Sequence, residues 1–299
     1  MKRPARLRPG ARVAVVAPAG PVPREPFAAG AAILGARYQL VHEERIFARN
    51  GYLAGGDDER HGELAAALAD PTVDAVVCAR GGYGLTRILD RLDAAAFARA
   101  PKLIIGFSDV TVLHAWAQRA GVISLHAPVV TQLGLLSADD AAALFALVES
   151  PAPPPPIGGL RALAGGRAEG RLVGGNLEMV TRLIGTPWAL DLDGAVLLIE
   201  EVGERPYRID RQLTHLKMAG ALAGLAGVVV GDLVGCAEKD GGAPDAEAVI
   251  VERLGGLGVP VVADAPIGHG SRNRAVPHGA RVRLDAASGV LEFLEGAVD

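Results

Sequence analysis

A serine, two adjacent glutamates and a histidine stand at the ends of apolar runs in this sequence, and together they could do acyl-transfer chemistry. Leu103-Ile104-Ile105 reads as a buried strand, Gly106-Phe107 follows, and Ser108-Asp109 precedes a helical pattern over 110–120. A serine on such a strand-to-helix turn exposes its hydroxyl, and the helix N-terminus aims backbone N–H groups at whatever that oxygen attacks. Taken alone, Ser108 or Asp109 is equally well read as a helix cap, which both residue types form readily. A serine nucleophile needs a base and a group that orients the base. Glu200-Glu201 close one apolar run, and His269 follows another, Val259 to Ala263, by a short turn. Singly, each glutamate reads as a solvated strand end and the histidine as a loop residue. Their coincidence carries the weight, because sites in open α/β sheets form beyond the carboxyl ends of strands.

Regular elements must hold these residues. Up to about residue 150, short apolar runs alternate with helical patterns: strands at 12–17, 38–42, 75–78, 103–105 and 122–124, helices at 26–34, 57–69, 84–91, 110–120 and 139–149. The alternation predicts an α/β domain over 1–150, with a mostly parallel sheet and helices on both faces. Pro153-Pro154-Pro155-Pro156 can neither continue a helix nor enter a central strand, so 151–170 reads as a stiff connector. Beyond it, 171–299 is expected to form a smaller β-rich mixed domain. Its strands are expected at 168–174 (starting just inside the connector), 195–199, 227–231, 259–263, 280–284 and 290–294, its helices at 176–183, 209–218 and 245–254.

Composition narrows the function classes. A chain of 299 residues, half of them hydrophobic, can bury a sizeable core. The net charge of −4 suggests neither a nucleic-acid nor an anionic-membrane partner. The basic N-terminus precedes an apolar run that is short and ends in Pro18, so it reads as a first strand rather than a signal peptide, and a cytoplasmic protein follows. Cys78 and Cys236 argue against a disulfide framework. There is no CxxC or HExxH and the seven histidines are scattered, so no metal site is expected, and no cofactor.

The motifs, taken in order, resemble the LD-carboxypeptidases, a family of serine peptidases acting on murein peptides. They are Val15-Val16-Ala17-Pro18; Gly51-Tyr52-Leu53-Ala54-Gly55 with Arg60; Ala79-Arg80-Gly81-Gly82-Tyr83-Gly84; the nucleophile stretch from Lys102 to Thr111; His126-Ala127-Pro128; Gly174-Gly175-Asn176-Leu177; Gly185-Thr186-Pro187; Glu200 to Arg211; and Gly268-His269. Two positions depart from the family pattern: Ala19 where a serine is frequent and Ala127 where glycine is. The resemblance implies a catalytic triad of Ser108, Glu200 and His269. Glu200 is preferred to Glu201 because it directly follows the strand, and alternation along a strand sends the two side chains in opposite directions. The backbone N–H of Asp109, with that of Gly81 or Gly82, is expected to form the oxyanion hole. Arg80, Tyr83 and Asn176 are expected at the substrate, Arg80 as a candidate for the substrate's carboxylate. Arg208 and Arg211 could instead be ion-pair partners of Asp210 or Glu204. A phosphate-cradling role for the Arg80–Gly84 turn lacks the residues of a P-loop or a dinucleotide turn.

The implied reaction is cleavage of the L,D-peptide bond before a C-terminal D-alanine of a murein tetrapeptide, in a homodimer. Two alternatives stand beside it. One is an immunity-type relative that cleaves peptidyl-nucleotide antibiotics of the microcin C class, which would need an aromatic residue for the base. Of the two tryptophans, Trp116 lies inside a helix and reads as core, and Trp188 is the other. The second is a non-catalytic α/β binding protein, against which the intact serine, glutamate and histidine argue.

Overall fold

The first strand, β1 (Arg12–Val16), is apolar after its first residue and buried there, as expected for a parallel strand covered on both faces. The computed structural model, which describes residues 1–238 and 244–299, divides into two compact units. The first comprises Met1–Ala152, Arg274–Pro277 and Gly296–Asp299; the second comprises Pro153–Asn273 and His278–Glu295.

The first unit continues through α1 (Arg24–Gly35), β2 (Gln39–Val41), α2 (Asp57–Ala69), β3 (Ala75–Cys78), α3 (Ala94–Arg99), β4 (Leu103–Gly106), α4 (Thr111–Arg119), β5 (Ser124–His126), α5 (Val130–Leu133) and α6 (Ala138–Glu149). β2, β1, β3, β4 and β5 lie side by side in that order, all parallel. The order reverses direction between β1 and β3, the point at which doubly wound sheets open a crevice at their carboxyl edge. With right-handed crossovers, α1 covers one face and α2 to α4 the other. Local chemistry fits these elements. α2 opens on Asp57, Asp58 and Glu59, which complement the helix dipole, and the Gly56 N–H donates to Glu59 Oε2 at 2.6 Å.

The expected helix over 84–91 is instead two short 3-10 turns, Leu85–Arg87 and Leu89–Arg91. Its apolar spacing is helical, but Leu85 donates its N–H to the Asp109 carboxylate at 2.9 Å, so the first turn is recruited to the serine loop. The strand expected at 122–124 begins two residues later. Val122 donates back to Ala117 O and Ile123 to Lys2 O, which commits the start of that run to the helix end and the N-terminal segment.

The second unit contains β6 (Arg161–Ala164), β7 (Arg167–Asn176), α7 (Leu177–Arg182), β8 (Ala195–Val202), α8 (Pro206–Met218), β9 (Gly227–Val234), α9 (Ala246–Leu254) and β10 (Val261–Ala263). After β11 (Val276–His278), which joins the first sheet beside β5, come β12 (Arg281–Asp285) and β13 (Val290–Phe293). The sheet order is β13-β12-β7-β8-β9-β10-β6. The middle strands β7 to β10 are parallel, while β6 and the β12–β13 pair run antiparallel at the flanks. Each parallel step is bridged by a helix, so this half has a βαβ centre of its own inside a mixed sheet. A bulge interrupts the β8–β9 register between Ile199 and Glu201, opposite Gly231 and Asp232.

Candidate active site

In the first unit the loops after β1, β3 and β4 converge on Ser108. Ser108 has φ +66°, a left-handed conformation that a side-chain-bearing residue holds at a cost of about 1–3 kcal/mol and that collects at functional sites. The chain enters the turn from an extended Phe107 and leaves it through Val110 into α4. Gly81 lies against the serine: a Cβ at 81 would stand 2.9 Å from Ser108 Cβ, 3.0 Å from its Oγ and 3.5 Å from Asp109 N. Its absence lets the Arg80–Gly84 turn approach the nucleophile. Gly82, at φ +108°, packs in turn against Gly20, whose N–H donates to Gly81 O at 3.0 Å. Arg60, fully buried, ties these loops from below, donating to the carbonyls of Pro18 and Gly84 and pairing with Asp57. Asp109 is buried too, and burial pushes its carboxyl up to about 7 against the pull of the Leu85 and Gly84 N–H groups and Arg60.

A cavity of about 640 Å³ opens beside this turn, lined by Gly20, Phe47, Arg49, Tyr52, Arg80 and Tyr83 among others. The rings of Tyr52 and Tyr83 lie 5.9 Å apart and both are exposed. Arg80 is exposed, with Nη1 donating to Pro21 O at 2.5 Å.

The second unit brings Glu200 and His269 together. Glu200 Oε2 accepts from His269 Nδ1 at 2.6 Å. The carboxylate is fully buried and the imidazole half-buried. The β8–β9 bulge and missing Cβ atoms make room for the contact. A Cβ on Gly231 would stand 2.3 Å from Ile267 O and 3.3 Å from Glu200 Cβ; one on Gly268, at φ +132°, would stand 2.9 Å from Glu200 Oε2. Bulges beside sites re-aim side chains in this way. Burial opposes the charged imidazole, but the Glu200 hydrogen bond and charge outweigh it, with Glu201 and Asp232 adding, so the pKa of His269 lies above the usual histidine value.

Glu201 goes elsewhere. It is not a solvated strand end; it is 2% exposed and accepts from Asn176 Nδ2, Glu178 N and Val202 N, all at 2.9 Å. Burial pushes it up to about 7 although these donors pull it down. Asn176, expected at the substrate, is also 6% exposed, and its Oδ1 caps α7 by accepting from Met179 N at 3.2 Å. Its amide braces the edge where β7 ends. Arg208 pairs with Glu204, as the ion-pair reading allowed, while Asp210 is held by Arg253 rather than by Arg208 or Arg211.

Two residues of this environment lie outside the sequence motifs. Asp232 accepts from Gly270 N at 3.0 Å and lies beside His269. It ends the apolar run of β9 as Glu200 ends that of β8, so the strand-end signal was available. Buried Asn273 accepts from Gly268 N at 3.0 Å, and no spacing pointed to it.

Comparison with known proteins agrees with these motifs. A family model described as the LD-carboxypeptidase N-terminal domain matches residues 13–127, and one described as the LD-carboxypeptidase C-terminal domain matches residues 169–284. A putative carboxypeptidase of Streptomyces coelicolor is 44% identical, over 97% of this chain and 95% of its own. The murein tetrapeptide carboxypeptidase of Pseudomonas aeruginosa is 34% identical, over 92% and 93%. Among solved structures, a muramoyltetrapeptide carboxypeptidase from Oxalobacter formigenes superposes with a TM-score of 0.84 at 30% identity, covering 96% of this chain and 99% of that one.

Proposed function

The chain belongs to the LD-carboxypeptidase family and is a serine-type carboxypeptidase, and from that premise we propose that it removes the C-terminal D-alanine of murein tetrapeptides through Ser108, His269 and Glu200. The observation that carries the residue assignment is the pairing of two unusual features: a serine held at φ +66°, and a buried carboxylate bonded to a histidine at 2.6 Å.

Ser108 Oγ attacks the carbonyl carbon of the L,D-bond while His269 Nε2 takes the hydroxyl proton. Nδ1–H, donated to Glu200, fixes the tautomer that leaves the lone pair on Nε2, and the carboxylate stabilises the imidazolium. The negative oxygen of the tetrahedral intermediate is held by the N–H of Asp109 and one from Gly81 or Gly82. Collapse breaks the C–N bond, and His269 gives its proton to the departing amine of D-alanine. Water, deprotonated by His269, then cleaves the acyl-serine ester and restores the hydroxyl.

Arg80, with Tyr83 and the cavity they line, binds the peptide, Arg80 serving the free carboxylate. Asn176 acts through Glu201 rather than at the substrate. The same reading has the enzyme working in the cytoplasm as a homodimer on peptides released from the cell wall, which rests on the motif resemblance.

The test is an assay of purified protein on a murein tetrapeptide beside a peptidyl-nucleotide of the microcin C type. Release of D-alanine from the first, lost by about 10⁴-fold or more in Ser108→Ala while thermal unfolding stays cooperative, is the expected result. Wild-type turnover in Ser108→Ala, or turnover of the peptidyl-nucleotide alone, would overturn the reading.

A further inference from the structure

Directly behind the serine turn lies a buried histidine that the mechanism above does not use. His114, on the first turns of α4, is completely buried. Its Nε2 lies 2.9 Å from Gly106 O and its Nδ1 2.9 Å from Ser124 Oγ. A carbonyl only accepts, so the proton sits on Nε2, and Nδ1 accepts from the Ser124 hydroxyl. Burial holds the ring at a pKa of about 4, although the Gly106 contact opposes this, so the ring is neutral around neutral pH and this tautomer persists.

Gly106 is the last residue of β4, two before the nucleophile. Its carbonyl accepts twice, from Ala127 N at 3.0 Å and from His114. Its α-carbon is pinned as well: a Cβ there would stand 2.9 Å from Val110 Cγ2. Val110 and His114 are one helical turn apart and act on the same peptide. The three residues between Gly106 and Val110 therefore span two anchored ends, and Ser108, in the middle, holds its left-handed φ because neither end can give.

We propose that His114 is a positioning residue for Ser108: its Nε2–H, donated to the Gly106 carbonyl, locks the strand end from which the nucleophile turn springs. The inference rests on the serine-peptidase reading. Without the bond only the Ala127 N–H holds the Gly106 carbonyl, the Gly106–Phe107 peptide can tilt about that single contact, Ser108 relaxes toward an ordinary backbone conformation, and its oxygen leaves the attack position. Substrate binding does not depend on that hydroxyl, so the loss falls on kcat.

Two polar replacements separate this role from mere packing. The amide of glutamine reaches the position of Nε2 and can donate to Gly106; that of asparagine reaches only the position of Nδ1. We would measure the rate at which a fluorophosphonate labels Ser108, and kcat and KM on a murein tetrapeptide, with thermal unfolding alongside. His114→Gln should stay within about threefold of wild type, whereas His114→Asn should slow both labelling and kcat by about 10- to 100-fold at nearly constant KM. Equal rates for the two variants, or a loss carried by KM, would overturn the proposal. Should His114→Asn fail to fold, His114→Met, which fills the space without a donor for Gly106, decides: slower labelling at constant KM supports the proposal, and wild-type labelling overturns it. Absence of labelling in the wild-type protein would remove the peptidase reading and this inference with it. Labelled wild type with no difference between Gln and Asn would remove the inference alone.

Discussion

The serine turn and the glutamate–histidine pair solve the same problem by opposite means. At Ser108 the important quantity is backbone conformation: a positive φ held between anchored ends, with bare glycine backbone pressed against the serine. At Glu200 and His269 it is side-chain electrostatics: a fully buried carboxylate holding a half-buried imidazole, with glycines and a bulge supplying space. The first arrangement should be sensitive to volume and indifferent to charge. The second should be sensitive to charge even where the shape of the side chain is kept.

Short of removing the nucleophile itself, the largest expected effect tests the electrostatic half. Glu200→Gln keeps the shape and removes the charge, so turnover should fall by about 10²- to 10⁴-fold with little change in KM. The pH profile gives a second readout. Turnover requires neutral His269, so activity falls as pH drops through its raised pKa. Removing the Glu200 charge lets burial dominate, and the acidic limb should move to lower pH. Glu201→Gln is the control. It should leave the limb nearly in place but cost about 1–3 kcal/mol of stability, because an amide cannot accept all three donors now satisfied. A shift of the limb by Glu201→Gln, with none by Glu200→Gln, would reverse the assignment.

The next effect tests the backbone half. Gly81→Ala introduces a methyl at 2.9 Å from Ser108 Cβ and should displace the serine, lowering kcat by about 10- to 100-fold with cooperative unfolding retained. Unchanged kcat would mean that the close approach of this turn does no positioning. The smallest effect is on stability. Glycine tolerates φ +66° and alanine does not, so Ser108→Gly should unfold about 1 kcal/mol later than the equally inactive Ser108→Ala. Equal stability of the two variants would show that the turn relaxes rather than being held.

The same contrast governs how far the site could be read from sequence. Side chains announce themselves: Ser108, Glu200 and His269 were visible as polar residues at the ends of apolar runs, and β3 and α2 were delimited correctly because continuous apolarity and acidic first-turn residues mark them. Backbone-mediated features do not. Nothing in the order Leu85-Thr86-Arg87-Ile88-Leu89 says that the Leu85 N–H will serve Asp109 instead of a helix. The positive φ of Ser108, with Gly81 pressed against it, and the β8–β9 bulge depend on contacts between segments distant in sequence, while the hold of Asn273 on Gly268 is a local loop contact that no residue pattern marks. β11 was missed for a related reason. It is three residues long, contains Pro277, and earns its place only as the edge strand of a sheet formed much earlier in the chain.

That late strand has a consequence for biosynthesis and for recombination. The sheet that bears Ser108 draws residues Arg274–Pro277 from beyond the whole of Pro153–Asn273. A nascent chain released only as far as β5 therefore carries the serine but an unfinished sheet edge, open to mispairing until the later segment arrives. The halves are consequently not interchangeable cassettes. A graft joined once at the proline connector would separate β11 from the sheet it completes, and a working chimera would have to carry that short segment together with the serine it was built around.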